Sequence, residues 1–243
     1  MTYHVQAISD NAIRIEWSAN VSLRLNNRIT HFCSQLQIRC IPGVVEWVPS
    51  YKSVTIYYLP HVITLDEISK GIEDILQIKE SSNSDFHKHR MLSVPVYYGG
   101  EAGLDLEKLA EVHEMDVTEV VRRHQEPLYV VHMLGFLPGF PYLGGLDESI
   151  ATPRLETARQ EIPKGSVGIA HHQTGIYPTT SPGGWNIIGK TPLSLMDLSK
   201  QTPFLFQVGD YVRFYKITKA EFQSIEQDIR KGTYNLAKHI QWN

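Results

Sequence analysis

Two clusters of residues in the second half of the chain suit the recognition of a small polar molecule. The first lies between Ala151 and Pro178, where three cations, Arg154, Arg159 and Lys164, occur in a segment punctuated by proline and glycine. Arginine forms paired hydrogen bonds with carboxylates. Directed neutral hydrogen bonds are available from Gln173, Thr174 and Tyr177. The cluster predicts either a site for a small carboxylate or a solvated rim of a β structure.

The second cluster is TSPGGWNIIG, in which Trp185 follows a glycine pair and either walls a groove or fills the core. Residues 184–191 also match the phosphate-loop pattern G-x-x-x-x-G-K-[ST]. Such a loop must follow a buried strand and precede a helix, because its backbone N–H groups curl around the phosphates. Here the preceding residues form a turn, and Ile187 and Ile188 are strand formers. The sequence therefore favours a strand.

Residues 135–146 read GFLPGFPYLGGL, an uncharged stretch with four glycines and two prolines. Proline excludes a helix interior and removes donors from a strand, so we expect an ordered loop at the edge of a β structure. Phe136, Phe140 and Tyr142 then line a groove or form an aromatic patch, and the alternative is a loop that fills the core. The neighbours His171 and His172 are expected on opposite faces of a strand, so we expect no metal site.

Composition and patterning define the class of protein and its domains. The 243 residues are 42% hydrophobic with a net charge of -3, which argues against sequence-independent nucleic-acid binding. We expect a cytoplasmic protein with no membrane segment, because no apolar run approaches the roughly 20 residues of a membrane helix and only two cysteines occur. The elements predict an α+β module (ββαββα) over residues 1–80 and a linker over 81–90. A closed β structure follows over 91–218, and a helix and tail over 219–243.

Several long blocks resemble one known family, and together they extend over nearly the whole chain. They are GFLPGFPYLGGL, TPRLETARQEIPKGSVGIA, QTGIYP, SPGGWNIIGKTPL, VPVYYGGEAGLDLEKLAE and ISDNAIRIEW. These resemble the signature blocks of the Kip-inhibitor family, which includes the B subunit of 5-oxoprolinase, also called allophanate hydrolase subunit 1. The resemblance implies an α+β module followed by a cyclophilin-like closed β-barrel.

The same resemblance implies one subunit of an ATP-dependent 5-oxoprolinase that acts with two partner subunits, and it leaves open which of the three holds ATP. We expect the isolated chain to be inactive. A second implied role is inhibition of a sporulation-type sensor histidine kinase through binding to its dimerisation helices.

Cleavage of 5-oxoproline to glutamate requires a cation for the substrate carboxylate, donors for the developing oxyanion and a base for water. Either Arg154 or Arg159 is expected to hold the carboxylate. The lactam is expected to be oriented by Gln173, Thr174 or Tyr177. His132 is a candidate acid or base, with a buried strand histidine as the alternative. The loop with Phe136, Phe140 and Tyr142 is expected to dock a partner or exclude water.

Overall fold

The computed structural model describes residues 1–78 and 90–242, and the chain divides into two compact units, Met1–His87 and Lys88–Asn243. The predicted linker, residues 81–90, lies outside the described residues except for Arg90, which begins a strand. Each unit has its own hydrophobic core.

The first unit has the predicted order ββαββα. Its elements are β1 (Tyr3–Ser9), β2 (Ala12–Trp17), α1 (Leu23–Arg39), β3 (Val44–Pro49), β4 (Ser53–Tyr58) and α2 (Leu65–Leu76). The strands form an antiparallel sheet in the order β1-β2-β4-β3. Alternate residues such as Ile13 and Ile15 pack against apolar residues of both helices, so the helices cover one face. Thr64 and Glu67 form a capping box at the start of α2.

The second unit is a closed barrel of seven strands, which confirms the predicted fold class. The barrel strands are β5 (Arg90–Tyr98), β6 (Tyr129–Leu134), β7 (Pro141–Gly144), β9 (Ser166–Ala170), β10 (Gln173–Ile176), β12 (Asn186–Lys190) and β13 (Tyr211–Lys216). Their order is β12-β9-β10-β7-β6-β13-β5, and β5 closes the barrel by pairing with β12. Every pair is antiparallel except β5 with β13.

The remaining elements lie on the outside of the barrel or at its ends. They are α3 (Leu106–Val112), α4 (Val117–Gln125), the paired strands β8 (Arg159–Ile162) and β11 (Ser181–Gly183), α5 (Lys219–Arg230) and β14 (Ile240–Trp242). The sequence predicted a helix and tail following the barrel over 219–243. In the structure β14 pairs with β5, so this segment extends the barrel sheet and belongs to the second unit.

A fully bonded polar chain crosses the interior of the barrel. The Thr174 hydroxyl donates to the Gly168 carbonyl at 2.9 Å, so it must accept from His124 Nε2, also at 2.9 Å. His124 Nδ1 therefore accepts from the Tyr98 hydroxyl at 2.8 Å. His124 is fully buried, and burial lowers its pKa to about 3, which keeps the ring neutral. This series of hydrogen bonds fixes β5, α4 and β10 relative to one another.

Candidate functional site

Aromatic residues of the two predicted clusters and of the stretch 135–146 meet in one group on the outside of the barrel. The Phe140 ring lies 4.9 Å from Tyr142, 5.2 Å from Tyr177 and 5.4 Å from Trp185, measured between ring centroids. These four residues, with Ile162, Ala170 and Ile187, form a hydrophobic cluster separate from the barrel core. We call this group the outer aromatic cluster.

Glycines in the barrel strands make room for these rings. Gly175 pairs with Tyr142 on one side and Gly168 on the other, so these three residues share the outer face of the sheet. A Cβ atom on Gly175 would lie 2.8 Å from Phe140 Cζ, and one on Gly168 would lie 3.1 Å from Trp185 Cβ. The Phe140 ring therefore lies directly on the backbone at Gly175, and the base of the Trp185 side chain lies close to Gly168, which explains why the strands carry glycine there.

The loop before β7 has both a buried and an exposed aromatic ring. Phe140 is 1% exposed, whereas Phe136 is 64% exposed and adopts a positive φ of 67°. The two rings meet edge to face at 5.9 Å. The Gly135 N–H donates to the Phe140 carbonyl and closes the loop. The predicted patch is therefore divided, because Phe140 fills the outer aromatic cluster and Phe136 projects from it.

The structure separates the two candidate arginines. Arg159 forms a paired ion bridge with Asp105, with nitrogen–oxygen distances of 2.8 and 2.6 Å. Arg154 is exposed and forms no ion pair or hydrogen bond with any residue in the ranges 1–78 and 90–242. Burial raises the pKa of Tyr177 to about 12, and the positive charge of Arg154 opposes that rise. Pro153 and Leu155, on either side of Arg154, bond to Asn186 and Gly184, which flank Trp185, so Arg154 lies beside the outer aromatic cluster.

The neutral hydrogen-bonding candidates do not form one group. Thr174 is fully buried and bonded within the barrel, so its hydroxyl is not accessible from the outer face. Gln173, the next residue, is half-buried on the outer face and pairs with Gly144. Tyr177 is 1% exposed and belongs to the outer aromatic cluster. Gln173 is therefore the candidate with an accessible amide.

His132 lies at an irregularity of β6, where the pairing with β7 shifts register. Its ring packs on Gly144, since a Cβ atom there would lie 2.4 Å from His132 Nε2. The side chain is buried, and burial lowers its pKa to about 4. The imidazole is therefore neutral at pH 7, the form that accepts a proton rather than donates one. This environment matches the buried strand histidine that the sequence offered as the alternative.

Two further sequence patterns are resolved by the backbone. Residues 186–190 of the phosphate-loop pattern form β12, whose register with β9 and β5 commits its backbone to the barrel, as the sequence favoured. His171 and His172 form the two-residue turn between β9 and β10, so the prediction that they lie within a strand is wrong. His171 has a φ of 52°, which a strand does not allow.

Other surfaces carry none of the predicted site residues. A shallow groove beside α4 and β13 is lined by Thr118, Val121, Arg122, Gln125, Glu126 and Lys216. In the described part of the chain, no three His, Cys, Asp or Glu residues are placed to hold a metal ion. The helices described there are all too short or too polar to cross a membrane.

Asp105 is the residue of this region that the sequence analysis missed. It precedes α3, and its carboxylate accepts from Arg159 and from the Ile187 N–H at 2.7 Å. An aspartate at the start of a helix is ordinarily interpreted as a capping residue, yet its side chain makes no capping bond here. Its bonds to Arg159 and Ile187, which are distant in the sequence, show that it joins two separate segments of the chain.

Comparison with known proteins gives the same assignment as the sequence blocks. The family model of the carboxyltransferase domain, subdomains C and D, matches residues 3–206. The B subunit of 5-oxoprolinase from Bacillus subtilis (strain 168) is 35% identical over 236 residues, which cover 93% of this chain and 98% of that protein.

Two solved structures show the same fold within longer chains. The protein TTHA0988 is 32% identical with a TM-score of 0.74, and the match covers 85% of this chain but only 40% of that one. The urea carboxylase of Kluyveromyces lactis is 21% identical with a TM-score of 0.76 and shares the fold over 99% of this chain and 24% of its own. The chain therefore belongs to the carboxyltransferase subdomain C and D family, as a relative of the 5-oxoprolinase B subunits.

Proposed function

We propose that this chain is the B subunit of an ATP-dependent 5-oxoprolinase, which cleaves 5-oxoproline to glutamate together with two partner subunits. The observation that carries the proposal is the match to the 5-oxoprolinase B subunit of Bacillus subtilis along 98% of that protein. At the coarser level, the relatives support a subunit of an ATP-dependent amidase complex. Their names favour this role over the alternative of a sensor-kinase inhibitor.

The geometry beside the outer aromatic cluster suits this substrate. 5-Oxoproline is a five-membered lactam with one carboxylate, so it presents one negative charge and one flat amide. Arg154 supplies a cation that no described residue neutralises, and Tyr142 next to it is half-buried and offers part of a ring face. Gln173 supplies an amide that can donate to the lactam oxygen or accept from its N–H. We therefore assign carboxylate binding to Arg154 rather than to Arg159.

The phosphate-loop pattern of residues 184–191 does not fit ATP. The sequence pattern for a phosphate loop is part of strand β12, and its register with β9 and β5 prevents it from curling around phosphates. We therefore assign ATP binding to a partner subunit. This chain contributes the substrate carboxylate contact and the aromatic surface next to it.

The exposed ring of Phe136 is the proposed contact with a partner subunit. A phenylalanine that is 64% exposed and held by a closed loop suits the centre of a protein interface. In TTHA0988 the matched part is 40% of the chain, so this fold occurs next to further protein in a relative. Docking there would exclude water from the neighbouring outer aromatic cluster.

The test is steady-state kinetics of the reconstituted three-subunit complex with Arg154→Met. Loss of a charge-assisted bond to the carboxylate is expected to raise KM for 5-oxoproline by a factor of about 10 to 100. The matched control is Arg213→Met, because Arg213 is also an exposed arginine of the barrel. An unchanged KM in Arg154→Met would refute the site, and an inactive complex of folded wild-type subunits would refute the function.

A further inference from the structure

We infer that Asp105 is a positioning residue for the Arg154 site, because it fastens the segment that carries Arg154 through its ion pair with Arg159. The inference deepens the proposed function and rests on it for the substrate. Asp105 forms no hydrogen bond or ion pair with Arg154 and acts through the backbone between Arg154 and Arg159.

The first step is the strength of the Asp105–Arg159 contact. Both carboxylate oxygens bond to the guanidinium, and the Asp105 side chain is 6% exposed, against 30% for Arg159. A paired arginine–carboxylate bridge fixes the orientation of both groups as well as their distance. Because the carboxylate is buried, solvent screens this pair less than it would screen a surface ion pair.

The second step is the attachment of Asp105 to the barrel. Its carboxylate accepts from the Ile187 N–H at 2.7 Å, and its own N–H donates to the Ile187 carbonyl at 2.8 Å. Ile187 lies in β12 and belongs to the outer aromatic cluster. Asp105 thus connects Arg159 to a strand that is fixed on both sides by pairing with β9 and β5.

The third step is the course of the chain between the two arginines. The Asn186 side-chain amide donates to the Pro153 carbonyl at 2.7 Å, and the Leu155 N–H donates to the Gly184 carbonyl at 2.8 Å. Arg154 therefore lies between two backbone anchors, and Asp105 provides a third at Arg159. Because residues 155–158 have no regular secondary structure, these anchors set where Arg154 points.

The first experiment follows loop anchoring without any need for enzyme activity. Trypsin cleaves after arginine, so the rate of cleavage between Arg154 and Leu155 in the full chain reports how firmly the segment is held. Asp105→Asn is expected to speed this cleavage at least fivefold, as measured by mass spectrometry of the fragments. The matched control is Asp210→Asn, because Asp210 is also a buried aspartate paired with an arginine, Arg90.

The second experiment measures KM and kcat in the three-subunit complex. Asp105→Asn is expected to raise KM for 5-oxoproline about tenfold and to change kcat and the KM for ATP less than twofold. Added to Arg154→Met, it is expected to raise KM no further, because both variants remove the same contact. Arg159→Lys keeps the charge, so its KM for 5-oxoproline is expected to lie between the KM values of wild type and Arg159→Met.

The results separate the two proposals. Unchanged cleavage at Arg154 in Asp105→Asn, or equal acceleration in Asp210→Asn, would overturn the positioning role whatever the enzyme does. The positioning role would also be overturned if Asp105→Asn raised KM for both 5-oxoproline and ATP. The same holds if its effect on KM added to that of Arg154→Met. A normal KM in Arg154→Met would instead refute the proposed substrate site, and the proteolysis result would still decide whether Asp105 anchors the segment.

Discussion

Replacing Phe140 by alanine tests whether the uncharged stretch of residues 135–146 is mainly a structural element. The ring is 1% exposed and contacts Tyr142, Tyr177 and Trp185. It also covers Gly175, which has no side chain to fill the space that the ring would leave. Truncation of a buried phenylalanine costs about 3–5 kcal/mol, and collapse into this space is limited by the barrel strand beneath it. The free energy of unfolding should fall by that amount.

Phe136→Ala is the matched control, because it removes the same ring from the same loop at a 64% exposed position. Its unfolding free energy should fall by about 1 kcal/mol or less, mostly from the edge contact with Phe140. Urea denaturation followed by tryptophan fluorescence measures both variants, and Phe140→Ala should also lower the melting temperature by on the order of 10 °C. Equal destabilisation by the two variants would refute the division of the loop into a buried and an exposed ring.

Three further predictions concern the barrel. Thr174→Val leaves His124 Nε2–H without its acceptor and should lower the unfolding free energy by about 1–3 kcal/mol in urea denaturation, whereas no loss would contradict the bonded chain. Gly175→Ala places a Cβ atom 2.8 Å from Phe140 Cζ and should cost about 1–3 kcal/mol in the same assay. Burial lowers the pKa of His124 in the folded protein from 6.5 to about 3. Between these two pH values the unfolded chain binds a proton that the folded protein does not, so the free energy of unfolding should fall as the pH drops from about 6.5 towards 3. His124→Gln should flatten that dependence, and an unchanged slope between pH 7 and pH 5 would contradict it.

The elements of both units follow from local sequence signals. The apolar spacing of α1, the capping box at Thr64 and Glu67, and the turns between short β runs all correspond to observed elements. The pattern of short β runs predicted a closed structure, and its form as a cyclophilin-like barrel came from the resemblance. The pairing of β12 with β5, which closes the barrel, joins residues about 90 positions apart. Local patterns do not contain that information.

The residue types of the candidate site could be predicted from the sequence, but the partners of those residues could not. From the sequence, Arg154 and Arg159 were equally good candidates for carboxylate binding, since both are cations in one segment. Folding brings Asp105 to Arg159 across 54 positions and leaves Arg154 without such a partner among the described residues. Thr174 and Gln173 were treated alike for the same reason. Strand alternation directs one into the barrel and the other outward, and only the pairing shows which face is buried.

The most direct test of the proposed function is glutamate release from 5-oxoproline and ATP. It compares this chain alone, its two proposed partner subunits alone, and all three together. We predict release only in the three-part mixture, with a rate that depends on the concentration of this chain until the complex is saturated. Release at the full rate from the two partners alone, or no release from three folded subunits, would contradict its assignment as the B subunit of a 5-oxoprolinase.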